Sequence, residues 1–216
     1  MTSGDTVILD SQYLPCLEYF VCLKQAGRVV LEAKENFQKQ SYRNRCYVLT
    51  PNGPFALTVP VKGGNKNHPI EDIEIDFRQK WVKDHWRAIT SAYGKSPFFE
   101  HYAFAFEPVF QDPPGRLWDL NFRMLTICLK LLEWDIHLEA SSVYHKSIAN
   151  DGIQDLRSAI HPKKPYQTNS IYRRYEYGQI FGRNFVDNLS IIDLLFNEGP
   201  NAVNILNASF ADKAKG

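Results

Sequence analysis

The sequence lacks the features that would fix a chemistry at sight. Its four cysteines, Cys16, Cys22, Cys46 and Cys128, show no CxxC spacing, and with no secretory leader beside them they read as reduced thiols. The six histidines, His68, His85, His101, His137, His145 and His161, are scattered without an HExxH motif or a paired His/Cys group. That argues against a structural metal, and no cofactor is expected. Neither sign of charge is in surplus: the formal net charge is +1 with 23% charged residues, so nothing global draws the chain to nucleic acid or an acidic membrane. No run of about 20 uncharged apolar residues is present, and the first residues lack the charged, apolar and small-residue pattern of a signal peptide. The expectation is a cytoplasmic protein with no membrane partner.

At 216 residues the chain has ample length for a core. We read an α/β core with a hairpin and helices over residues 1–140, and an extension over 141–216 packed on it. Thr6 to Leu9 is a short apolar run rich in β-branched residues, followed by polar Asp10, Ser11 and Gln12. Pro15 suits the first turn of a helix, Leu17, Phe20, Val21 and Lys24 follow at helical spacing, and Gly27 ends it. Arg28 to Ala33 then reads as a second strand, giving a βαβ unit with two parallel strands. Ligands of such sheets sit beyond the carboxyl ends of the strands, here the places of Asp10 to Tyr13 and of Lys34, Glu35 and Asn36.

Between Ser41 and Lys62, two runs rich in Tyr, Val, Leu and Thr flank Pro51-Asn52-Gly53-Pro54, a strand, turn and strand. An Asn-Gly loop would set two prolines opposite each other with no N–H to exchange, so a four-residue loop is expected, with Thr50 facing Phe55. Val48 would face Leu57, Cys46 would face Val59 and Asn44 would face Val61 on the core side. The other side would gather Arg43, Arg45 and Lys62, a set able to hold a phosphate or carboxylate. Ile70 to Asp76 alternates like a further strand, and its Asp72, Glu74 and Asp76 could neutralise the same cations with no ligand.

Further on, Asp76 to Gln79 reads as a capping box for a helix to Tyr93, and Ser96-Pro97 starts another. Leu117 to Trp134 has the spacing of a long helix, and Ile136 to Ala140 that of a strand. Regularity fades from 141 to 183, read as a long ordered loop or a flap that covers a site or is tied to a second subunit, and two short helices over Leu189–Glu198 and Asn201–Asn207 close the chain.

Three side chains are candidates for chemistry: Cys16, a thiol at a helix N-terminus; Asp10, a base at a strand end; and His85, a proton carrier beside tryptophans. The plainer readings are a small apolar residue, a loop-capping aspartate and a packed histidine. Gln12, Tyr13, Arg43, Asn44, Arg45 and Lys62 are the candidate binding residues.

SQYLPCLEYF, then FQKQSYRNR with the LTVPV strand, KDHWRAITSAYGKSPFFEHY and NLSIIDLLFNEGP occur in an order that resembles the WbqC-like protein family, with the last block similar to a Bacteroidetes branch. Many members begin with His-Gln-Pro-x-Tyr-Leu-Pro; this chain keeps Tyr13-Leu14-Pro15 but has Leu9, Asp10 and Ser11 in place of the first three. The family takes its name from a gene of surface-polysaccharide clusters. The cation cluster, the parallel-strand crevice and this family context together lead to the expectation of a transferase acting on a phosphate-bearing or nucleotide-linked sugar, with Arg43, Arg45 and Lys62 holding the anion and Asp10, Gln12 and Tyr13 contacting the reacting end. The competing expectation is a non-catalytic binding or scaffold protein docking a partner through its aromatic-rich helices. Association of copies of the chain is left open.

Overall fold

The computed structural model describes residues 6–63, 68–147, 152–166, 171–182 and 184–211. The fold is α/β. A parallel sheet of four strands is joined by a two-stranded antiparallel hairpin and a set of helices. The opening βαβ unit forms as expected. β1 (Thr6–Asp10) leads through α1 (Leu17–Gln25) to β2 (Arg28–Glu32), with Asp10 in register with Glu32. β1 lies between two neighbours, and Val7 and Leu9 on one face and Ile8 on the other are all buried, as for parallel strands covered on both faces.

The hairpin, β3 (Arg45–Thr50) and β4 (Gly53–Thr58), differs from expectation in its loop. Thr50 faces Gly53 across a two-residue Pro51-Asn52 turn, Val48 faces Phe55 and Cys46 faces Leu57. Neither proline meets the other in this register, so the argument against an Asn-Gly loop holds while the four-residue alternative does not. The shift is by two residues, and because strand side chains repeat every two, the buried face is unchanged: Cys46, Val48, Leu57 and Val59 still point inward. The Ile70–Asp76 strand is not formed. Ile70–Asp72 is a 3-10 turn, followed by single bridges from Val61 to Ile75 and from Glu74 to Arg116.

α2 (Trp81–Tyr93), α3 (Phe99–Gln111) and α4 (Leu117–Leu131) follow. Neither expected cap is used. Asp76 accepts from the Arg78 backbone N–H and guanidinium instead of capping α2, and Ser96 lies in a turn ahead of α3. β5 (Leu138–Ala140) then joins the far edge of β2.

The described residues beyond 141 include one strand that the expected loop did not provide for. This is β6 (Ile153–Asp155), which pairs parallel to β1 and completes the order β5-β2-β1-β6. A three-residue strand shows no periodicity to read. α5 (Ile191–Glu198) is buried on nearly every side, with Phe196 packing its ring against Tyr93, Phe99 and Phe106. α6 (Ala202–Ala208) ends the described helices. Residues 64–67 of the glycine-containing loop, and Asp151 of the expected Asp-Gly turn, lie outside the described residues. Among the described residues no helix is long and apolar enough to cross a membrane.

Gly199 links α5 to its following 3-10 turn at φ +53, and an added Cβ would stand 2.4 Å from the Phe98 ring. Gly199→Ala combines a left-handed backbone with a clash against a packed aromatic, so a loss of about 2 kcal/mol or more in a denaturant melt is expected.

Candidate functional site

The strand order reverses at β1. β2 and β5 are laid down on one side of it and β6 on the other, so the crevice beyond the carboxyl ends of β1 and β6 is the switch point of the sheet. Asp10 closes β1 there, and its side chain is fully buried. Arg43, in the run leading into the hairpin, extends into the same place with 0% exposure. Its guanidinium grips Glu35 in bidentate fashion, Nε to Oε1 and Nη2 to Oε2 at 2.7 Å each, and Nη1 lies 3.4 Å from Asp10 Oδ2. Nη2 also donates to Ser158 Oγ at 2.9 Å.

Ser158 belongs to the segment after β6, which straps this crevice. Its N–H donates to Asp10 Oδ1 at 2.9 Å, and Gln12 Nε2 reaches the Ile160 carbonyl at 3.3 Å. Arg157 pairs with both Asp155 and Glu32, and Lys163 Nζ donates to Gln40. Leu14, Gln40 and Ser158 are all in the left-handed region, at φ 42, 58 and 55. A non-glycine residue holds that conformation only where its surroundings fix it, and such positions gather at functional sites.

Two buried polar atoms beside Asp10 have no hydrogen-bond partner among the described residues, Gln12 Oε1 and Arg43 Nη1. Of the buried charged groups Glu35 lines a hollow of ≈ 540 Å³, together with Lys34, Gln38, Lys39 and Tyr144, among others, beyond the carboxyl ends of β2 and β5. Burial lifts the Glu35 carboxyl above the usual range, reinforced by Asp10 and Glu32 and offset in part by Arg43. His161 is pushed the other way, chiefly by burial and then by Lys164 and Arg43. Its Nδ1 accepts the Lys163 N–H, so the neutral ring carries its proton on Nε2.

The sequence candidates divide into groups. Asp10, Gln12 and Arg43 converge at the switch point. The expected three-cation face does not form: Lys62 is held at the surface by Glu74 at 2.8 Å, and Arg45 makes no ion pair among the described residues. The acids that neutralise Arg43 are Glu35 and Asp10, not Asp72, Glu74 or Asp76. Asn44 pins the hairpin, its Nδ2 donating to the Val59 carbonyl.

Cys16 is sealed inside the molecule. The first N–H groups of α1 are taken by the Leu189 carbonyl and the Asn188 side chain, and burial, with Glu18 nearby, drives the thiol well above its ordinary range. Desolvation outweighs the helix N-terminus, so Cys16 is a packed thiol and not a nucleophile. All four cysteines are free and buried.

Tyr13 and His85 form a separate pair. Tyr13 Oη lies 3.0 Å from His85 Nδ1, and the imidazole also bonds the Thr58 carbonyl. Burial lowers His85 to about 4, so the ring is a neutral structural link.

Sequence reading missed Ser158, Arg157 and His161 because nothing local marks β6. Glu35 was legible only as a residue after a strand end.

The geometry defines an α/β protein with a four-stranded parallel sheet, an antiparallel hairpin and a cluster of buried charges at the switch point of the sheet. The profile of the WbqC-like protein family matches residues 10–170 and 165–205, and the chain belongs to that family. It is also similar to the uncharacterised protein Rv1507c of Mycobacterium tuberculosis, 27% identical over 92% of this chain and 96% of the mycobacterial one. No solved structure matches it.

Arg43→Met leaves two carboxylates buried without their cation and should cost about 3–5 kcal/mol in urea melts. Combining it with Glu35→Met should recover much of that loss, because the apolar pair leaves less charge uncompensated. For His85, the folded chain binds fewer protons than the unfolded one between its ordinary 6.5 and about 4. Its contribution is therefore intact above that window and lost on acidification, by about 3 kcal/mol at full effect. Glu35 acts in the opposite sense, so the measurement is the difference between wild type and His85→Gln, whose acid-side slope should be shallower.

Proposed function

We propose that the protein is a transferase acting on a phosphate-bearing or nucleotide-linked sugar at the switch point, in the synthesis of surface polysaccharide. The observation that carries this reading is Glu35, which lines the 540 Å³ hollow at the carboxyl edge of the sheet and is held from behind by Arg43, itself paired with Asp10. The opening faces Lys34, Lys39 and the half-exposed ring of Tyr144, over which the Arg157 guanidinium sits at 5.1 Å. Cations there suit a phosphate, and an aromatic face suits a base or sugar ring. Glu35, raised by burial, is the group fit to take a proton from an attacking acceptor, while exposed Lys39, with Lys34 that Glu71 already pairs, holds charge gathering on the leaving phosphate. Family membership supports the class of pathway, and Arg45 and Lys62 have no part in it.

The competing scaffold reading draws on Phe104, 67% exposed on α3, and Phe122, exposed on α4. It expects no response to the ligands that follow and a loss of self-association or partner binding on Phe104→Ser.

Thermal melts with UDP-glucose, UDP-N-acetylglucosamine, GDP-mannose and CMP-linked sugars decide the matter. At least one should raise the melting temperature, since ligand at about 100 times its Kd contributes about 2.7 kcal/mol. Lys39→Glu should abolish that rise without lowering the unliganded melting temperature, because Lys39 is exposed. No rise with any donor, or a rise that survives Lys39→Glu and Tyr144→Ala, would end the proposal.

A further inference from the structure

Away from the switch point, a second groove of ≈ 690 Å³ runs between β4 and α2, with Phe55, Leu57 and Thr58 on one wall and Lys80, Trp81 and His85 on the other. We propose that it binds a small organic anion with a flat apolar body, an aromatic phosphate or carboxylate, whose charge sits at the start of α2 and whose ring covers Phe55.

The start of α2 is open to an anion. The helix has 13 residues, its N-cap Lys80 makes no side-chain capping bond, and Asp76, the acid placed to cap it, is bound to Arg78. The N–H groups of a first turn have no intrahelical acceptors, and their dipoles favour negative charge. An independent orphan lies in the same wall: Trp81 is only 4% exposed, yet its indole N–H has no acceptor among the described residues. A buried donor left unpaired is costly, and an acceptor arriving in the groove would relieve it.

Charge in the groove points the same way. Arg87 is engaged by Asp84 at 2.8 Å, and His85 is neutral at physiological pH because burial lowers it. Lys80 is left as the unbalanced charge, and it makes no ion pair among the described residues. The apolar half of the ligand is set by Phe55, 51% exposed beside Ala56, Leu57 and Ala88. An open aromatic ring over apolar walls gains from any flat group laid on it.

The probe is phenyl phosphate, followed by calorimetry and by tryptophan fluorescence, with inorganic phosphate alongside. Phenyl phosphate should bind at least tenfold more tightly than inorganic phosphate. Lys80→Glu should weaken it tenfold or more, and Phe55→Ser severalfold while leaving inorganic phosphate unchanged. Lys80 is at the surface and Phe55 half-exposed, so both variants should fold, which circular dichroism verifies. The proposal is overturned if phenyl phosphate does not bind, if the ring adds nothing over inorganic phosphate, or if both variants bind as wild type. Each result leaves the switch-point reading untouched, because neither residue lies there.

Discussion

A guanidinium with no exposure to water holds this fold's chemistry in one place. Arg43 cannot stay charged in the interior without carboxylates, and the carboxylates it finds come from two different strand ends, Asp10 at the end of β1 and Glu35 after β2. Burying all three groups costs several kcal/mol of desolvation each, and only close, bidentate geometry offsets that cost. The hairpin entry, the carboxyl edge of the sheet and the strap after β6 are therefore fixed relative to one another. Ser158 completes the arrangement by serving Arg43 through its hydroxyl and Asp10 through its N–H.

The same arrangement separates structure from reactivity. Cys16 and His85 look reactive in a linear reading, but the interior takes away their reactivity. Burial drives the Cys16 thiol up, and the imidazole of His85 is spent on Tyr13 and Thr58. The charged groups at the switch point are also buried, yet one of them, Glu35, borders an open hollow. Gln12 Oε1 and Arg43 Nη1 keep hydrogen-bonding capacity that no described protein group uses. A site differs from a core ion network in retaining such capacity next to space for a ligand.

The C-terminal third shows why composition is a poor guide to importance. Its mixture of tyrosines, lysines and prolines resembles a loop, yet it contributes β6, the strap over Asp10, and α5, which packs against the hairpin and α2, α3 and α4. Asp193 on α5 is buried and receives hydrogen bonds from Tyr93, Tyr177 and Gln179, which ties residues 177–179 to the centre of the molecule. Order here comes from long-range contacts, and local propensity carries no trace of them.

The sequence by itself determined the elements whose signal is local. The βαβ opening, the inward face of the hairpin, the long helices and the position of Asp10 and Gln12 at a strand end all follow from periodicity and from proline and glycine chemistry. It left the hairpin loop two residues off, since both registers bury the same face and differ only in the turn. What tertiary structure alone decided was partnership. Arg43 turns toward Glu35 and Asp10 and leaves Arg45 and Lys62 behind, because a buried charge goes to the nearest buried counter-charge, and which one is nearest depends on strands that meet only when the sheet is assembled.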